Sequence, residues 1–353
     1  MRDVTRAGTA EPPSWLVWAA LWTVYIVWGS TYLAIRVTVE TMPPLLTASV
    51  RFLVAGTAVY VFLWLRKGRS FVHLEPREMV ASTLVGALLL FGGNGIVSVA
   101  EEHVPSALAA LIIASVPLWI VVLRFITGDR VPGGTMAGVA VGFAGVALLI
   151  VPGDQPGTAS LGHLLLIVAA SMSWATGSFI SKRLPLPKDP FVSTAAQMLG
   201  GGVVLAVAGV IGGEASNLDV STFSGASIAG LVYLIVAGSL LAFTAYVWLL
   251  QNAPISKVST YAYVNPVVAI FLGWLILSEE VTPVIIAGAA VIVAAVAWIV
   301  RMEAKIDGRE RRAAAELAAS EDRSVDVGET AEAGGAPPPH VPQPTERLAA
   351  QPD

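Results

Sequence analysis

Ten apolar runs of about 20 residues follow one another through residue 301, and only short polar segments separate them. A helix needs roughly 20 apolar residues to cross the ~30 Å hydrocarbon core of a bilayer. Only 13% of the residues are charged, against about 25% in ordinary soluble domains. We therefore predict an all-α integral membrane protein with ten transmembrane helices, at 15–35, 44–65, 79–99, 105–127, 132–151, 160–181, 190–212, 224–250, 256–277 and 283–301.

The segments around these runs separate into two kinds by their Lys and Arg content. If the N-terminus is cytoplasmic, 17 Lys and Arg residues fall on the cytoplasmic side, and Arg36 alone falls on the other side. Loops that stay in the cytoplasm carry such an excess of Lys and Arg. We predict that both termini are cytoplasmic. The first run is too long for the apolar core of a cleaved signal peptide.

The chain also resembles itself. "WGSTYLAIR" at 28–36 aligns with "WATGSFISK" at 174–182, and "VPSALAALIIASVP" at 104–117 aligns with "APISKVSTYAYVNP" at 253–266. Five runs per repeat is an odd number, so the second repeat enters the membrane from the opposite side. Inverted repeats recur in secondary transporters, although a duplicated channel would show the same pattern. The predicted division is a cytoplasmic segment at 1–14, repeats at 15–151 and 160–301, and a tail at 302–353.

The tail is rich in Pro, Gly, Glu and Ala, and its last part has no aromatic residue. Such a composition cannot bury enough apolar surface to offset the entropy of ordering. We predict a largely disordered cytoplasmic tail, whose first part continues the last apolar run as a solvated helix.

Three stretches resemble the EamA/RhaT-like, ten-helix family of the drug/metabolite transporter superfamily. They are "WGSTYLAIRVTVETMPPLLTASVRFLVAG", "NGIVSVAEEHVPSALAALIIASVPLW" and "YAYVNPVVAIFLGWLILSEEVT". The resemblance covers about residues 15–300. It implies two EamA domains, a bacterial cytoplasmic membrane location and a central cavity. Glu102 stands where the family more often has Gln, and the tail lies outside the family core.

Polar and aromatic side chains inside apolar runs are candidates for a cavity wall. Tyr25, Trp28 and Tyr32 share one helix face, and their repeat partners Ser171, Trp174 and Ser178 do the same. Packing, or a position in the interfacial aromatic belt, is the alternative for these side chains. The substrate-binding candidates are Trp28, Tyr32, Arg51, Asn94, Trp119, Trp174, Tyr261 and Asn265, with Thr244 and Trp248 as weaker ones.

Arg51 is a charge inside the second apolar run, about 10 Å below the membrane surface at 1.5 Å per residue. An unpaired charge there costs at least ~2.5 kcal/mol on insertion scales. Glu40, Glu101 and Glu102 are the expected partners, with helix-end carbonyls as another option. Its repeat counterpart is the neutral Gln197. Two roles stay open for Arg51: it either locks helices together or contacts an anionic part of the substrate.

Transport by this chain would be secondary, because the sequence contains no GxxxxGK[ST] phosphate-binding loop. The gating or proton-coupling candidates are Glu101, Pro117 and Pro266. Glu101 either titrates during transport or is a solvated loop charge, and the second interpretation is the simpler one. Each proline frees a backbone carbonyl, which gives either a functional kink or a packing kink. Expected partners are a small-molecule solute, the lipid bilayer, and a proton or counter-solute, in a monomer or homodimer.

The sequence contains no group of reactive residues that would indicate an enzyme. The four His residues lie in loops, at a run end or in the tail, and neither HExxH nor GxSxG occurs, so an intramembrane enzyme is not indicated. We expect no catalytic residue, metal, cofactor or nucleic acid. The predicted function is a secondary transporter that moves small organic metabolites outward by alternating access. A non-transporting scaffold or sensor that acts through its tail is the alternative.

Overall fold

The computed structural model describes residues 13–150, 159–253, 255–258 and 260–302, together with residues 305 and 308. All regular structure in this part is helical, which confirms the all-α membrane fold. Among the described residues, nine helices are long and apolar enough to span a membrane, and a tenth, Tyr261–Leu277, is a shorter apolar helix. Most of the predicted N-terminal segment and of the predicted tail lies outside the described residues. The helices are α1 Ser14–Val39, α2 Pro44–Lys67, α3 Pro76–Ala100, α4 Ser106–Ile126, α5 Gly133–Ile150, α6 Leu161–Ser181, α7 Pro190–Ile211, α8 Gly225–Tyr246, α9 Tyr261–Leu277 and α10 Pro283–Met302.

Proline sets the start of several helices. Pro44, Pro76, Pro190 and Pro283 are each the first residue of a helix, where the missing N–H is not needed for an intrahelical hydrogen bond. This explains why α3 begins three residues before its predicted start at 79.

The third helix of each five-helix half contains a π-helical segment, which the sequence analysis did not predict. In α3 the segment is Ala87–Gly95, and in α8 it is Leu234–Ala242, after which the helix runs on to Asn252. Each segment is nine residues long. A π-helical stretch is rare and often marks a functional site, because it changes the direction of the side chains around it.

The fourth predicted span of each half is divided, but at different places. In α4 the helix stops at Ile113 and resumes at Val116, so Pro117 lies in the first turn of the second part. In the second half a short helix, Ile255–Val258, precedes α9, and α9 continues through Pro266 without a break. Pro266 therefore lies inside a helix, where the missing N–H leaves one intrahelical hydrogen bond unmade, and a kink at this position stays a prediction.

The two halves pack on each other through close helix pairs. In the α2–α7 pair, Ser49 Oγ donates to the Gly202 carbonyl at 2.8 Å. In the α3–α7 pair, a Cβ atom on Gly86 would overlap the Gln197 carbonyl oxygen. Glycine at such points lets two helix backbones approach closely. We call the end of the bundle where α3 finishes the Glu101 end, and the end where α2 finishes the Lys67 end.

Candidate functional site

A cavity of about 110 Å³ lies between the two halves. Its walls come from α1, α2, α3 and α4 of the first half and from α6, α8 and α9 of the second. The lining residues are Trp28, Thr31, Tyr32, Ile35, Arg51, Phe52, Leu90, Gly93, Asn94, Val97, Ala110, Ile113, Ala114, Val116, Trp174, Gly238, Ser239, Phe243, Tyr261, Ala262, Asn265 and Pro266.

The structure brings all but one of the eight substrate-binding candidates to this cavity. The exception is Trp119, whose Nε1 donates to Ser171 Oγ at 3.0 Å and whose ring packs edge-on against Phe143. Its indole is therefore committed to a contact between α4, α5 and α6. Of the gating candidates, Pro266 lines the cavity, while Pro117 and Glu101 do not.

Two tryptophans form part of the wall, and each packs on the π-helical segment of the other half. Trp28 Nε1 donates to the Gly238 carbonyl at 3.3 Å, and its ring meets Tyr261 edge-on at 5.3 Å between centroids. Trp174 stands against Gly93, where a Cβ atom would lie 2.6 Å from its ring. The absence of a side chain at Gly93 therefore makes room for the indole.

The polar side chains of the cavity differ in how far they are already paired. Asn94 and Tyr32 line the cavity, and their side chains make no hydrogen bond to other described residues. Asn265 is committed instead, because its amide, assigned the orientation that satisfies its neighbours, donates to the Tyr25 and Tyr261 carbonyl oxygens at 3.2 Å each. Asn94 therefore offers a free amide to a bound solute, whereas Asn265 holds α9 against α1.

Arg51 is buried, with 6% of its surface exposed, and its side chain reaches from α2 to α8. Its Nε donates to Ser239 Oγ at 3.0 Å, and its guanidinium carbon lies 4.7 Å from the centre of the Phe52 ring. In the described part of the chain, none of the expected partners Glu40, Glu101 and Glu102 forms an ion pair with Arg51. The ion pairs among the described residues are Lys67–Asp189 and Arg124–Asp129, and neither involves Arg51.

Gln197, the repeat counterpart of Arg51, has a different environment. Its Nε2 donates to Ser193 Oγ at 2.9 Å, four residues back on its own helix α7. It does not line the cavity. The equivalent positions of the two halves thus make a contact between helices in one case and within a helix in the other.

Glu101 follows the last turn of α3 and is fully buried. Neither carboxylate oxygen has a hydrogen-bond partner among the described residues. Burial raises the pKa of the Glu101 carboxyl well above its usual value, Glu279 raises the pKa further, and Arg36 opposes the shift. The interpretation of Glu101 as a solvated loop charge is therefore wrong.

Arg36 explains part of this geometry. Its Nη1 donates to the backbone carbonyls of Glu101 and Glu102, with 2.9 Å to the latter, and it forms no ion pair with either carboxylate within the described residues. The side chain therefore ties the end of α1 to the turn after α3.

The sequence analysis missed two carboxylates that cap helices of the other half. Glu214, after α7, accepts from the Leu45 and Leu46 amides of α2 at 3.0 and 2.8 Å. Glu279, after α9, accepts from the Ser106 and Ala107 amides of α4 at 2.8 and 3.1 Å. Both caps lie at the Glu101 end and complement the positive end of a helix dipole. A carboxylate just after a helix was their only sequence signal.

The family comparison matches the same parts of the chain as the two halves. The model of the EamA-like transporter family matches residues 14–151 and 161–301. The chain is 41% identical over 258 residues to the protein described as "uncharacterized inner membrane transporter YedA" of Escherichia coli (strain K12), covering 73% of this chain and 81% of that one.

More distant matches extend over a larger share of the chain. A "probable amino-acid metabolite efflux pump" of Salmonella typhimurium is 24% identical over 301 residues, which cover 81% of this chain and 96% of that one. A solved crystal structure superposes with a TM-score of 0.57 at 22% identity, covering 84% of this chain and 99% of that one. This last likeness concerns the fold alone.

Proposed function

Because this chain belongs to the EamA-like transporter family, we propose that it is a secondary transporter of small organic metabolites. It moves amino-acid-like, sugar-like or drug-like solutes outward across the bacterial cytoplasmic membrane, by alternating access. The names of two relatives, an inner membrane transporter and an amino-acid metabolite efflux pump, support the location and the direction. No catalytic residue has a part in this function.

The observation that carries the proposal is a cavity whose wall is divided between the two halves. Each half contributes a tryptophan that packs on the π-helical segment of the other half. If one half rocks against the other, the contacts on either side of the cavity change together while the cavity residues stay near the bilayer midplane. Alternating access in repeat transporters works by motion of this kind.

Orientation is part of the proposal, with both termini in the cytoplasm. The chain has no cysteine, so single cysteines can be placed without altering a background. Ser70, between α2 and α3, and Ser216, after α7, are both exposed. A membrane-impermeant maleimide on intact cells should label S216C and leave S70C unlabelled until the cells are opened. Labelling of S70C alone in intact cells would reverse the orientation.

Transport itself is tested by metabolite profiling of medium and cells with and without expression. An expressed wild-type chain should enrich one group of small metabolites in the medium. Asn94→Leu removes the free amide of the cavity and should abolish that enrichment, while Val203→Leu, on the exposed face of α7, should retain it. If wild type, Asn94→Leu and empty vector give the same medium, the transport proposal is refuted.

We further propose that Glu101 carries a proton during transport. A buried carboxylate without a hydrogen-bond partner is costly when ionised, so it stays protonated until the Glu101 end opens to water. Opening would lower its pKa, and the released proton would couple the motion to the pH of that side. The titratable and charged groups on the elements around it are Tyr32, Arg36, Glu102, His103 and Glu279.

The test is flux across a pH step in proteoliposomes, with the metabolite found by profiling as the probe. Wild-type flux should change with the pH gradient, and Glu101→Gln should transport at a rate that no longer responds to it. Glu280→Gln, an exposed neighbour of Glu279, should behave as wild type. An unchanged response in Glu101→Gln would exclude Glu101 as the proton carrier and leave transport itself untouched.

A further inference from the structure

Arg51 brings a positive charge into the cavity, and no described lining residue brings a negative one. The lining contains neither Asp nor Glu, and its other members are neutral. The described residues provide no ion pair for this guanidinium, and its hydrogen bond within them runs from Nε to Ser239 Oγ. A guanidinium has five N–H donors, so the two Nη groups keep unused donors.

A buried charge without a counter-charge is unfavourable, and an anion that enters the cavity removes this penalty. The planar fork of an arginine matches a carboxylate with two parallel hydrogen bonds. Gly238 leaves the space that the Nη2 side of the fork occupies, since a Cβ atom there would lie 3.2 Å from Nη2. The guanidinium is thus positioned by α8 while its outer donors stay free.

The remaining walls describe the rest of the ligand. Trp28, Phe243 and Tyr261 form a continuous aromatic surface, with ring centroids 6.1 Å apart for Trp28–Phe243 and 5.3 Å apart for Trp28–Tyr261. Asn94 adds one free amide. Aromatic rings stack on flat apolar groups and leave little room for a strongly hydrated ion.

From this arrangement we infer that the cavity binds organic monocarboxylates with an aromatic or apolar body, and that Arg51 contacts the carboxylate. The inference rests on the proposed transport function only in that the ligand is the transported solute. The site has a single charge, which matches a singly charged anion better than a phosphate ester.

The test is direct binding to the full chain purified into nanodiscs, followed by tryptophan fluorescence and melting temperature. The probes share one body and differ in one group: 3-phenylpropionate, 3-phenylpropanamide and 3-phenylpropylamine. The carboxylate should bind at millimolar concentration or below, and the amide and the amine at least about tenfold more weakly. A tenfold ratio corresponds to about 1.4 kcal/mol, a difference that one hydrogen bond to a charged group can supply.

Arg51→Gln should lose this preference, with carboxylate binding weakened at least about tenfold and amide binding unchanged. Arg51→Lys should retain part of it. Arg66→Gln, an exposed arginine on the same helix, is the matched control and should bind as wild type. If Arg51→Gln does not fold, the probe series on wild type and Arg51→Lys decides the question.

Three results would overturn the inference: equal binding of the three probes, absence of carboxylate binding, or inorganic phosphate binding as well as 3-phenylpropionate. Flux assays separate this failure from a failure of transport. Arg51-dependent carboxylate binding without flux in proteoliposomes would refute the transport proposal and leave the anion site standing. Flux of the amide or amine that is independent of Arg51 would refute the anion site and leave the transport proposal standing.

Discussion

The α3–α7 contact and the α2–α8 contact are equivalent, because the repeat pairs α3 with α8 and α7 with α2. The helix backbones touch in the first contact, whereas a side chain bridges them in the second. In α3–α7 the backbones touch, since a Cβ atom on Gly201 would lie 2.6 Å from the Gly86 carbonyl oxygen. In α2–α8 the Arg51 side chain extends between the helices to Ser239. The duplication thus preserves the helices and changes the distance between them.

This difference explains why only the first half has a charged residue, Arg51, at this position of the repeat. A long side chain can cross between two helices only where the backbones stay apart. Gln197 lies where α7 meets α3, and it turns back to Ser193 on its own helix. Arg51 lies where α2 and α8 leave the cavity open. The substrate site is therefore asymmetric although the scaffold is repeated.

The largest effect should come from adding a side-chain atom to the α3–α7 contact, where the two backbones already touch. Gly86→Ala places a methyl group on the Gln197 carbonyl, and because the obstacle is backbone, the two helices must separate. Overpacking typically costs about 1–3 kcal/mol, and more where backbone must move, so the yield of folded protein should fall. Fluorescence-detected gel filtration measures this. Gly133→Ala, with open space around it, is the control and should fold normally.

Moving the charge to the other half should have the next largest effect. Gln197→Arg introduces a long cation where α3 leaves no passage, and it should lower the melting temperature by several degrees, equivalent to roughly 2 kcal/mol. Arg51→Gln removes an unpaired buried charge, so its melting temperature should be at least that of wild type. Equal losses in the two variants would show that the two positions are interchangeable, and the comparison would fail.

Glu101 is a fully buried acidic residue at the end of α3, and the melting temperature measured as a function of pH should reveal its effect on stability. With a pKa raised above the usual 4.5, its stabilising contribution is complete below pH 4.5 and is lost as pH rises through the folded-state pKa. The wild-type melting temperature should therefore fall on the alkaline side. Glu101→Gln should flatten that fall, and Glu280→Gln should leave it unchanged. A steeper fall in Glu101→Gln would contradict the assignment.

The helix caps offer a smaller test of the same comparison. Glu214 caps α2 from the other half, whereas Asp189 caps α7 from its own N-terminus, accepting from the Phe191 and Val192 amides at 3.0 and 3.1 Å. Glu214→Gln should cost about 1–2 kcal/mol in the free energy of unfolding, since both a cap and a contact between halves weaken. Asp189→Asn should cost about 0.5 kcal/mol, because Asn also caps well. Thermal melts in detergent rank the two.

The smallest effect should come from the Lys67–Asp189 ion pair at the Lys67 end. The atoms are 3.6 Å apart and both side chains are partly exposed. Water and salt screen such a pair, so Lys67→Ala should change the free energy of unfolding by less than about 1 kcal/mol. Thermal melts of wild type and Lys67→Ala at low and high salt check this. A destabilisation by Lys67→Ala that stays large at high salt would indicate a buried network instead.

Much of the fold was predictable because long apolar runs and helix-starting prolines are local signals. The cavity residues were predictable for a related reason, since Asn94 and Arg51 are too polar for lipid and must face inward. The π-helical segments were not, because the glycines at 92, 93 and 95 fit several backbone shapes. The spacing of Trp119 from Pro117 predicts a place in the cavity wall. That prediction is wrong because spacing carries no information about the hydrogen bond from Trp119 to Ser171.

Contacts between distant segments account for the other differences. Ser239 as the partner of Arg51, and Glu214 and Glu279 as caps, join residues 168 to 188 positions apart. No periodicity connects such positions. The same holds for the stacked rings of His103 and His163, 4.2 Å apart, which join the two halves at the Glu101 end. Only the packed structure pairs these residues.

The hydrogen bond between Arg51 and Ser239 also has a consequence in time. The two residues are 188 positions apart, and chains are synthesised at about 5–20 residues per second. Roughly 10–40 s therefore pass between the emergence of Arg51 from the ribosome and that of its partner. During this interval α2 contains a cation without its later partner, so the apolar residues around Arg51 must keep the nascent helix in the bilayer.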